Sequence, residues 1–244
     1  QSSYAAIQSA IEQQQENGPL VSRAFLDQRG ASFAGFTTDE NIRIEQRMLA
    51  LEQDGRGVLP AIANTKEATR FIDKAARQSE RRGLPWNEGQ RAATQQLLVS
   101  RNWITALQGY AGTAKTSTVL ATLARAAKAQ GFAVTALAPT ASAALTLGEA
   151  LNARADTVAR HFVTGDRTGK TKPSLAASQD GKALWIVDEA SMLSARDTLR
   201  LFAMADNKKA RIILVGDTKQ LGSVDAGDAF AQLQRGGMAT AQLT

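Results

Sequence analysis

Hydrophobic positions recur at helical spacing in the first third of the chain. Apolar side chains three to four residues apart from Ser3 to Glu16 predict a polar helix. The residues Thr37–Glu40 form a plausible amino-terminal cap for a second helix, which Gly55-Arg56-Gly57 should end. A third helix is predicted from Thr65 to about Arg81. Residues 1–83 are therefore expected to form a small, mainly helical N-terminal subdomain.

The pattern changes after Arg81-Arg82-Gly83-Leu84-Pro85, which is interpreted as the junction between the helical region and the next domain. Short apolar runs then alternate with helical stretches. The apolar runs are Trp103–Gln108, Phe132–Ala138, Leu184–Val187 and Arg211–Val215, and the helical stretches include Lys115–Gln130 and Ala141–Leu151. This alternation predicts an α/β domain over residues 84–244, with a parallel sheet flanked by crossover helices. The polar, glycine-containing segment from Thr164 to Asp180 is predicted to be a mobile surface loop.

Composition limits the classes of protein to consider. The chain has 244 residues, of which 43% are hydrophobic, enough for a packed core. With no cysteine and one histidine, it has no disulfide, thiolate zinc site or histidine metal cluster, and it suits the reducing cytoplasm. No apolar run approaches the roughly 20 residues that span a bilayer, so no membrane insertion is expected. The missing initiator Met suggests a piece of a longer protein.

The net charge of +6 is concentrated after residue 86. Such an excess favours a polyanionic partner such as nucleic acid, but it is equally compatible with an ordinary basic surface. Charge alone leaves both interpretations open.

The segment from Gly109 to Thr116 follows a predicted strand and opens a predicted helix, the context of a phosphate-binding loop. Small residues let backbone N–H groups approach phosphate oxygens, and the helix terminus adds positive potential. Lys115 is expected to reach the β- and γ-phosphates of a nucleotide, and Thr116 to ligate Mg²⁺. The predicted nucleotide-binding residues of this loop are Gly109, Ala111, Gly112, Thr113, Ala114, Lys115, Thr116 and Ser117. Ala114 stands where the pattern has glycine, and its methyl group fits only if φ is negative.

A second chemical element follows the apolar run Ala183–Val187. Asp188 and Glu189 would lie at the carboxyl end of a strand, where α/β proteins bind ligands. Asp188 is predicted to hold Mg²⁺, and Glu189 to orient or deprotonate the attacking water. Two acids after a strand can also be a solvated helix cap, but the spacing from Lys115 favours the catalytic interpretation.

With these elements in order, the chain resembles superfamily-one helicases of the RecD-like branch, in particular the helicase half of conjugative relaxases of the TraI/TrwC type. The resemblance is strong over residues 84–244 and loose before them. The segments that carry it are Leu84–Gln90, Gly109–Ser117, Ala138–Ala143, Asp156–Phe162, Val187–Met192 and Leu214–Leu221. It implies a RecA-like fold and an ATP- and Mg²⁺-dependent motor that binds single-stranded DNA.

The resemblance also assigns roles beyond the phosphate loop. Gln90 would contact the adenine, and Gln220 would sense the γ-phosphate and couple it to DNA. DNA contacts are expected at Pro139, Thr140, Ser142 and Thr157. Plainer interpretations remain for some of these residues: Gln90 as a surface residue, and the Pro139-Thr140 pair as a strand end. His161 is expected to be a packing or surface residue and the three tryptophans packing residues, with stacking near the adenine as the alternative for Trp86. Lys170 and Lys172 either touch phosphate or solvate their loop.

By the same resemblance, a second RecA-like domain in the same polypeptide should supply arginines for hydrolysis, so this chain alone should bind ATP weakly, hydrolyse it very slowly and not unwind DNA. Movement from 5′ to 3′ and contact with the conjugation or type IV secretion machinery are implied too. The alternative is a non-catalytic, helicase-like module that grips single-stranded DNA or presents a secretion signal.

Overall fold

The computed structural model describes residues 18, 20–26, 32–110, 115–167, 182–218 and 228–243. Eight strands lie in this part of the chain: β1 (Leu20–Leu26), β2 (Ser32–Thr38), β3 (Ile104–Gly109), β4 (Ala133–Ala138), β5 (Arg154–Thr157), β6 (Ala183–Val187), β7 (Ala210–Gly216) and β8 (Thr240–Leu243). The α-helices there are α1 (Asp39–Asp54), α2 (Thr65–Glu80), α3 (Glu88–Val99), α4 (Ala121–Ala129), α5 (Ala141–Leu151), α6 (Val158–Arg167), α7 (Ala195–Asn207) and α8 (Ala229–Arg235). Lys115–Leu120 forms a π-helical segment before α4, and Ala190–Met192 a short 3₁₀ helix.

A six-stranded sheet with the order β5-β4-β6-β7-β3-β8 forms the centre of the fold, and all of its strand pairs are parallel. The four predicted apolar runs correspond to β3, β4, β6 and β7, which are the inner strands. Helices cover both faces of the sheet, so these strands are buried on both sides. Each of them therefore consists of a nearly continuous run of apolar residues in the sequence. The predicted α/β class with a parallel sheet is confirmed.

Two hydrophobic cores lie on opposite faces of this sheet. Helices α2, α3, α4 and α5 pack on one face, where Leu97, Leu123 and Ile186 are fully buried. Helices α1, α6, α7 and α8 pack on the other, around Met48, Phe202 and Phe230. Helices α1 and α2 therefore contribute to the same cores as the sheet.

The N-terminal region contains a hairpin that the sequence patterns did not predict. Strands β1 and β2 pair antiparallel, with Leu20 opposite Thr38. The helix that follows begins as expected, since the Thr38 hydroxyl accepts a hydrogen bond from the Asn41 N–H over 3.1 Å, and it ends at Gly55. The predicted helix from Ser3 to Glu16 lies outside the described residues.

Helix boundaries differ from the predictions at two places. The sequence predicts a surface loop from Thr164, but α6 continues to Arg167. Within this helix the Thr164 hydroxyl donates to the Arg160 carbonyl over 3.1 Å. The loop prediction is wrong for residues 164–167, and the rest of that segment lies outside the described residues. The stretch from Lys115 begins as a π-helical turn, a geometry that is frequent at functional sites. Across the part of the chain that the structure describes, no helix is long and apolar enough to cross a bilayer.

Candidate active site at the carboxyl edge of the sheet

Two of the segments singled out in the sequence, one at the end of β3 and one after β6, lie at the same edge of the sheet. Strand β3 ends at Gly109, and Asp188 directly follows β6. Val187 pairs with Leu137 of β4 on one side and with Leu214 of β7 on the other. Because parallel strands end at the same edge, Gly109 at the end of β3 and the acids after β6 lie on the same side of the molecule.

Lys115 folds back over the end of β3. Its ammonium group donates hydrogen bonds to the carbonyl oxygens of Gly109 and of Tyr110, the latter over 3.3 Å. Thr116 is partly buried and Ser117 is exposed in the π-helical segment that follows. The loop residues Ala111, Gly112, Thr113 and Ala114 lie outside the described residues.

Asp188 occupies a desolvated position. Burial raises the pKa of its carboxyl group, while the N–H of Glu189, which donates to Oδ1 over 2.9 Å, and the positive charge of Lys115 oppose that rise. The backbone N–H of Asp188 donates to the Leu137 carbonyl, which extends the β4–β6 ladder by one residue. The positive charge of Lys115 favours the ionised form of Asp188, in keeping with the position of both residues at this edge of the sheet.

Glu189 adopts an unusual backbone conformation. Its φ of 51° and ψ of 37° lie in the left-handed region, which non-glycine residues seldom enter. Its carbonyl accepts from the Met192 N–H over 2.9 Å, so the residue begins the short 3₁₀ helix. Such conformations cluster at functional sites, where the surrounding fold compensates their cost.

Gln108 anchors a polar network beside this site that sequence reasoning missed. Its amide nitrogen donates to Asp217 Oδ1 over 3.3 Å and to Thr218 Oγ1 over 3.4 Å. Its amide oxygen accepts from Gln234 Nε2 over 3.1 Å. A polar residue at the end of an otherwise apolar strand run was the available signal. Gln220 lies outside the described residues.

Gln90 is buried, with 9% of its surface exposed, so its interpretation as a surface residue is wrong. It forms a capping box at the start of α3: its side-chain oxygen accepts from the Asn87 N–H over 3.1 Å, and its own N–H donates to Asn87 Oδ1 over 2.8 Å. The side-chain oxygen thus fixes the local backbone at the position predicted to read adenine.

The residues predicted to contact DNA lie along the same edge, beyond β6. Thr140 caps α5, where its hydroxyl accepts from the Ala143 N–H over 3.3 Å, and Thr157 caps α6 by accepting from the Arg160 N–H over 3.1 Å. Strands β4 and β5 pair with Ala138 opposite Thr157, so the two helix starts are neighbours. Pro139 is partly buried and Ser142 exposed. Helix amino termini are favourable places for phosphate groups.

The aromatic residues behave as packing residues, as expected. Trp185 is buried, and the His161 ring meets it edge-on with 4.5 Å between ring centroids. Burial lowers the pKa of His161 to about 4. Trp103 donates from Nε1 to the Ala210 carbonyl over 2.6 Å, and Trp86 packs against the apolar core.

Residues 85–244 match the AAA_30 family, described as an AAA domain. The chain is similar to the RecBCD enzyme subunit RecD of Mycobacterium tuberculosis, with 35% identity over 153 residues, covering 54% of this chain and 26% of that protein. It is also similar to the ATP-dependent RecD2 DNA helicase of Deinococcus radiodurans, with 39% identity over 155 residues, covering 64% and 20%.

A third similar protein is the multifunctional conjugation protein TraI of Escherichia coli, with 31% identity over 147 residues, covering 58% of this chain and 8% of that protein. The chain thus spans about a quarter or less of the length of these relatives. Among solved structures, the Pif1 helicase from Candida albicans matches with a TM-score of 0.47 and 18% identity, covering 66% of this chain and 40% of that chain.

Proposed function

Since the chain belongs to the AAA-domain family that matches residues 85–244, we propose that it is the ATP-hydrolysing first motor domain of a DNA helicase or translocase. The observation that carries this proposal is the position of Asp188, which directly follows β6 at the same edge of the sheet as the end of β3 that the Lys115 ammonium group contacts. Lys115, which directly follows the loop after β3, would bind the phosphates of a nucleotide. Asp188, which directly follows β6, would bind a divalent cation beside them.

The roles follow from the chemistry of each side chain. Lys115 binds the β- and γ-phosphates and leaves its contacts with the Gly109 and Tyr110 carbonyls when nucleotide enters. The backbone N–H groups of Gly109, Ala111, Gly112, Thr113, Ala114, Thr116 and Ser117 line the rest of the phosphate cradle. Gln90 contacts the adenine. Glu189 orients the attacking water and accepts its proton, and Gln220 responds to the presence of the γ-phosphate.

The residues present fit a magnesium ion. Asp188 is a carboxylate that burial has stripped of much of its water, and a bound cation would stabilise its charged form. Mg²⁺ in nucleotide sites takes one or two protein oxygens and completes its shell with phosphate and water, so Asp188 and the Thr116 hydroxyl suffice. When bound there, the ion supplies neutralisation of the phosphate charge.

Single-stranded DNA is the proposed nucleic-acid substrate, along which the motor would move. Its phosphates would contact the exposed helix starts at Thr140 and Thr157, with Pro139 and Ser142 beside them. Pro139, Thr140 and Ser142 follow β4, the neighbour of β6, and Thr157 ends β5, one strand further out. A nucleotide-dependent movement of Asp188 and Glu189 at the end of β6 is therefore transmitted through β4 to the DNA.

The wider assembly is also proposed. Residues 84–244 form the first RecA-like domain and residues 1–83 an N-terminal subdomain, with a second RecA-like domain supplying arginines that raise the rate by about 10³–10⁵. Similarity to the multifunctional conjugation protein TraI supports a role in conjugation. We extend the proposal to a cytoplasmic relaxase-helicase that moves 5′ to 3′ and engages a secretion machinery.

Nucleotide titration with and without Mg²⁺ tests the proposal. We expect ATP to bind and Mg²⁺ to strengthen binding. If nothing binds at millimolar ATP, the motor assignment fails. The non-catalytic DNA-binding module, which the Ala114 substitution in the phosphate loop favours, then takes its place.

A further inference from the structure

A cavity of about 370 Å³ lies at the opposite edge of the sheet, where the strands begin. Phe132 precedes β4, Lys182 precedes β6, and Lys209 precedes β7. Arg211, the second residue of β7, also lines the cavity, and the turn containing Pro60 closes its other side. Because the strands are parallel, this cavity is separated from Asp188 by the full length of the sheet.

Arg211 is a buried cation that has no acidic partner among the residues that the structure describes. Its residue surface is only 2% exposed. Its two terminal nitrogens donate to the carbonyl oxygens of Ser100, over 2.9 Å, and of Pro60, while Nε has no hydrogen-bond partner among the described residues. Carbonyl dipoles do not neutralise a charge, and a buried charge without a counterion is costly. Burial lowers the pKa of Arg211 to about 10, which leaves it protonated at neutral pH.

Two lysines add to this charge. Lys182 donates to the Gln130 carbonyl over 3.1 Å, and its own carbonyl accepts from the Ala133 N–H, which fixes its backbone at the cavity rim. Lys209 pairs with Asp206 over 3.2 Å and has a φ of 51°, in the left-handed region. Each ammonium group has three donors and uses one in these contacts. None of the described residues that line the cavity is acidic.

We infer that this cavity is an anion-binding site for a phosphate group, held by Arg211, Lys182 and Lys209. Arg211 and Lys182 have no acidic partner among the described residues, and Lys209, although it pairs with Asp206, keeps two further donors. This excess of positive charge suits a dianion, and charge-assisted hydrogen bonds to phosphate are among the stronger ones in proteins. The site is independent of the nucleotide site at the other edge. A free phosphate monoester is such a dianion, and each phosphodiester group of a nucleic acid offers the same kind of oxygen acceptors with one negative charge.

The test uses the 244-residue chain carrying Lys115→Ala, so that phosphate cannot use the lysine of the nucleotide site. Inorganic phosphate is titrated, and the backbone amides of Lys182, Ala183 and Lys209 to Arg211 are followed by two-dimensional NMR. We expect saturable shifts at these amides. Lys182→Gln/Lys209→Gln, which changes exposed side chains and spares the buried Arg211, should weaken binding about tenfold or more.

Lys66→Gln/Lys74→Gln is the matched control, because it removes the same charge from exposed positions on α2 outside the cavity. It should leave the dissociation constant within about twofold. Displacement of phosphate by a single-stranded oligonucleotide identifies a phosphodiester as the ligand, whereas persistence of the shifts identifies a free monoester. Shifts that never saturate, or an equal loss in both double variants, overturn the inference.

Discussion

The side-chain amide of Gln108 donates a hydrogen bond to Oδ1 of Asp217 over 3.3 Å. This contact joins the end of β3, which leads into the loop before Lys115, to the residue that follows β7. Gln234 on α8 completes the arrangement by donating to the Gln108 oxygen. Three elements that are far apart in sequence are thereby held together beside the proposed nucleotide site.

Replacement of Gln108 by leucine should lower the free energy of unfolding by about 1–3 kcal/mol, because buried polar groups lose their partner. Urea denaturation measures this change. In a double-mutant cycle with Gln234→Leu, a coupling of about 0.5–3 kcal/mol is expected. Gln95→Leu is the control, since among the described residues the Gln95 side chain makes a single long contact, of 3.5 Å, with the Thr65 carbonyl. Strictly additive effects would show that the network does not act as a unit.

Lys115→Ala should weaken ATP binding about tenfold to a hundredfold, the effect of losing a hydrogen-bonded charge of about 1.5–3 kcal/mol. Fluorescent-nucleotide titration provides the measurement. Lys74→Ala changes an exposed lysine of α2 and should have no effect. Unchanged affinity in the Lys115 variant would remove this residue from the proposed site.

Asp188→Asn should abolish the enhancement of nucleotide binding by Mg²⁺ while raising the melting temperature at pH 7. In the folded state the pKa of Asp188 lies above its ordinary value. The group therefore stabilises the fold when it is protonated at low pH, and that contribution is lost as the pH rises through the folded-state pKa. Asparagine keeps the acceptor for the Glu189 N–H without the charge.

The stability gain of Asp188→Asn should therefore shrink as the pH is lowered, which calorimetry at several pH values measures. Glu189→Gln is the companion variant: it should retain Mg²⁺-dependent ATP binding and lose hydrolysis. A Mg²⁺ response that survives Asp188→Asn would contradict the assigned cation ligand.

His161 should make the protein less stable in mild acid. Its pKa falls from 6.5 to about 4 in the folded state, so its contribution is fully present above pH 6.5 and is lost as the pH falls towards 4. The full loss amounts to about 3–4 kcal/mol at most, at about 1.4 kcal/mol per pKa unit. His161→Phe keeps a ring against Trp185 and should remove this part of the pH dependence, as measured by urea unfolding. Parallel profiles for the two proteins would exclude His161 as its source.

Arg56→Ala should cost about 3–5 kcal/mol, because it leaves the Glu52 carboxylate buried without a partner. Arg56 donates to both carboxylate oxygens of Glu52, the shortest contact being 2.6 Å, and to the Gly236 carbonyl over 2.8 Å. Arg196→Ala breaks an exposed ion pair with Glu40 and should cost less than about 1 kcal/mol. Equal losses in thermal unfolding would mean that burial of Glu52 is unimportant.

The inner strands could be predicted because each is buried on both faces, which leaves a run of apolar residues. Strand β5 (Arg154–Thr157) could not, because it is four residues long, lies at the sheet edge and contains Arg154 and Asp156. In the hairpin, Ser22 and Arg23 interrupt the apolar pattern of β1. Its pairing is set by contacts with β2 that no local pattern reveals.

At the candidate site, a contiguous motif such as Asp188-Glu189 could be predicted from sequence, because two adjacent acids directly follow an apolar strand run. Gln108 and Gln234 were not, since 126 positions separate them and only the folded sheet brings them together. The hydrogen bond from Arg211 to the Pro60 carbonyl could not be predicted for the same reason, since 151 positions separate the two residues.

Strand β8 lies beside β3, with Leu243 opposite Gly109. A mechanical load on Leu243 would therefore reach the mouth of the loop before Lys115 through a single rung of backbone hydrogen bonds. Tension on β8 would therefore change the binding of nucleotide at the loop before Lys115, and bound nucleotide would in turn change the force on β8.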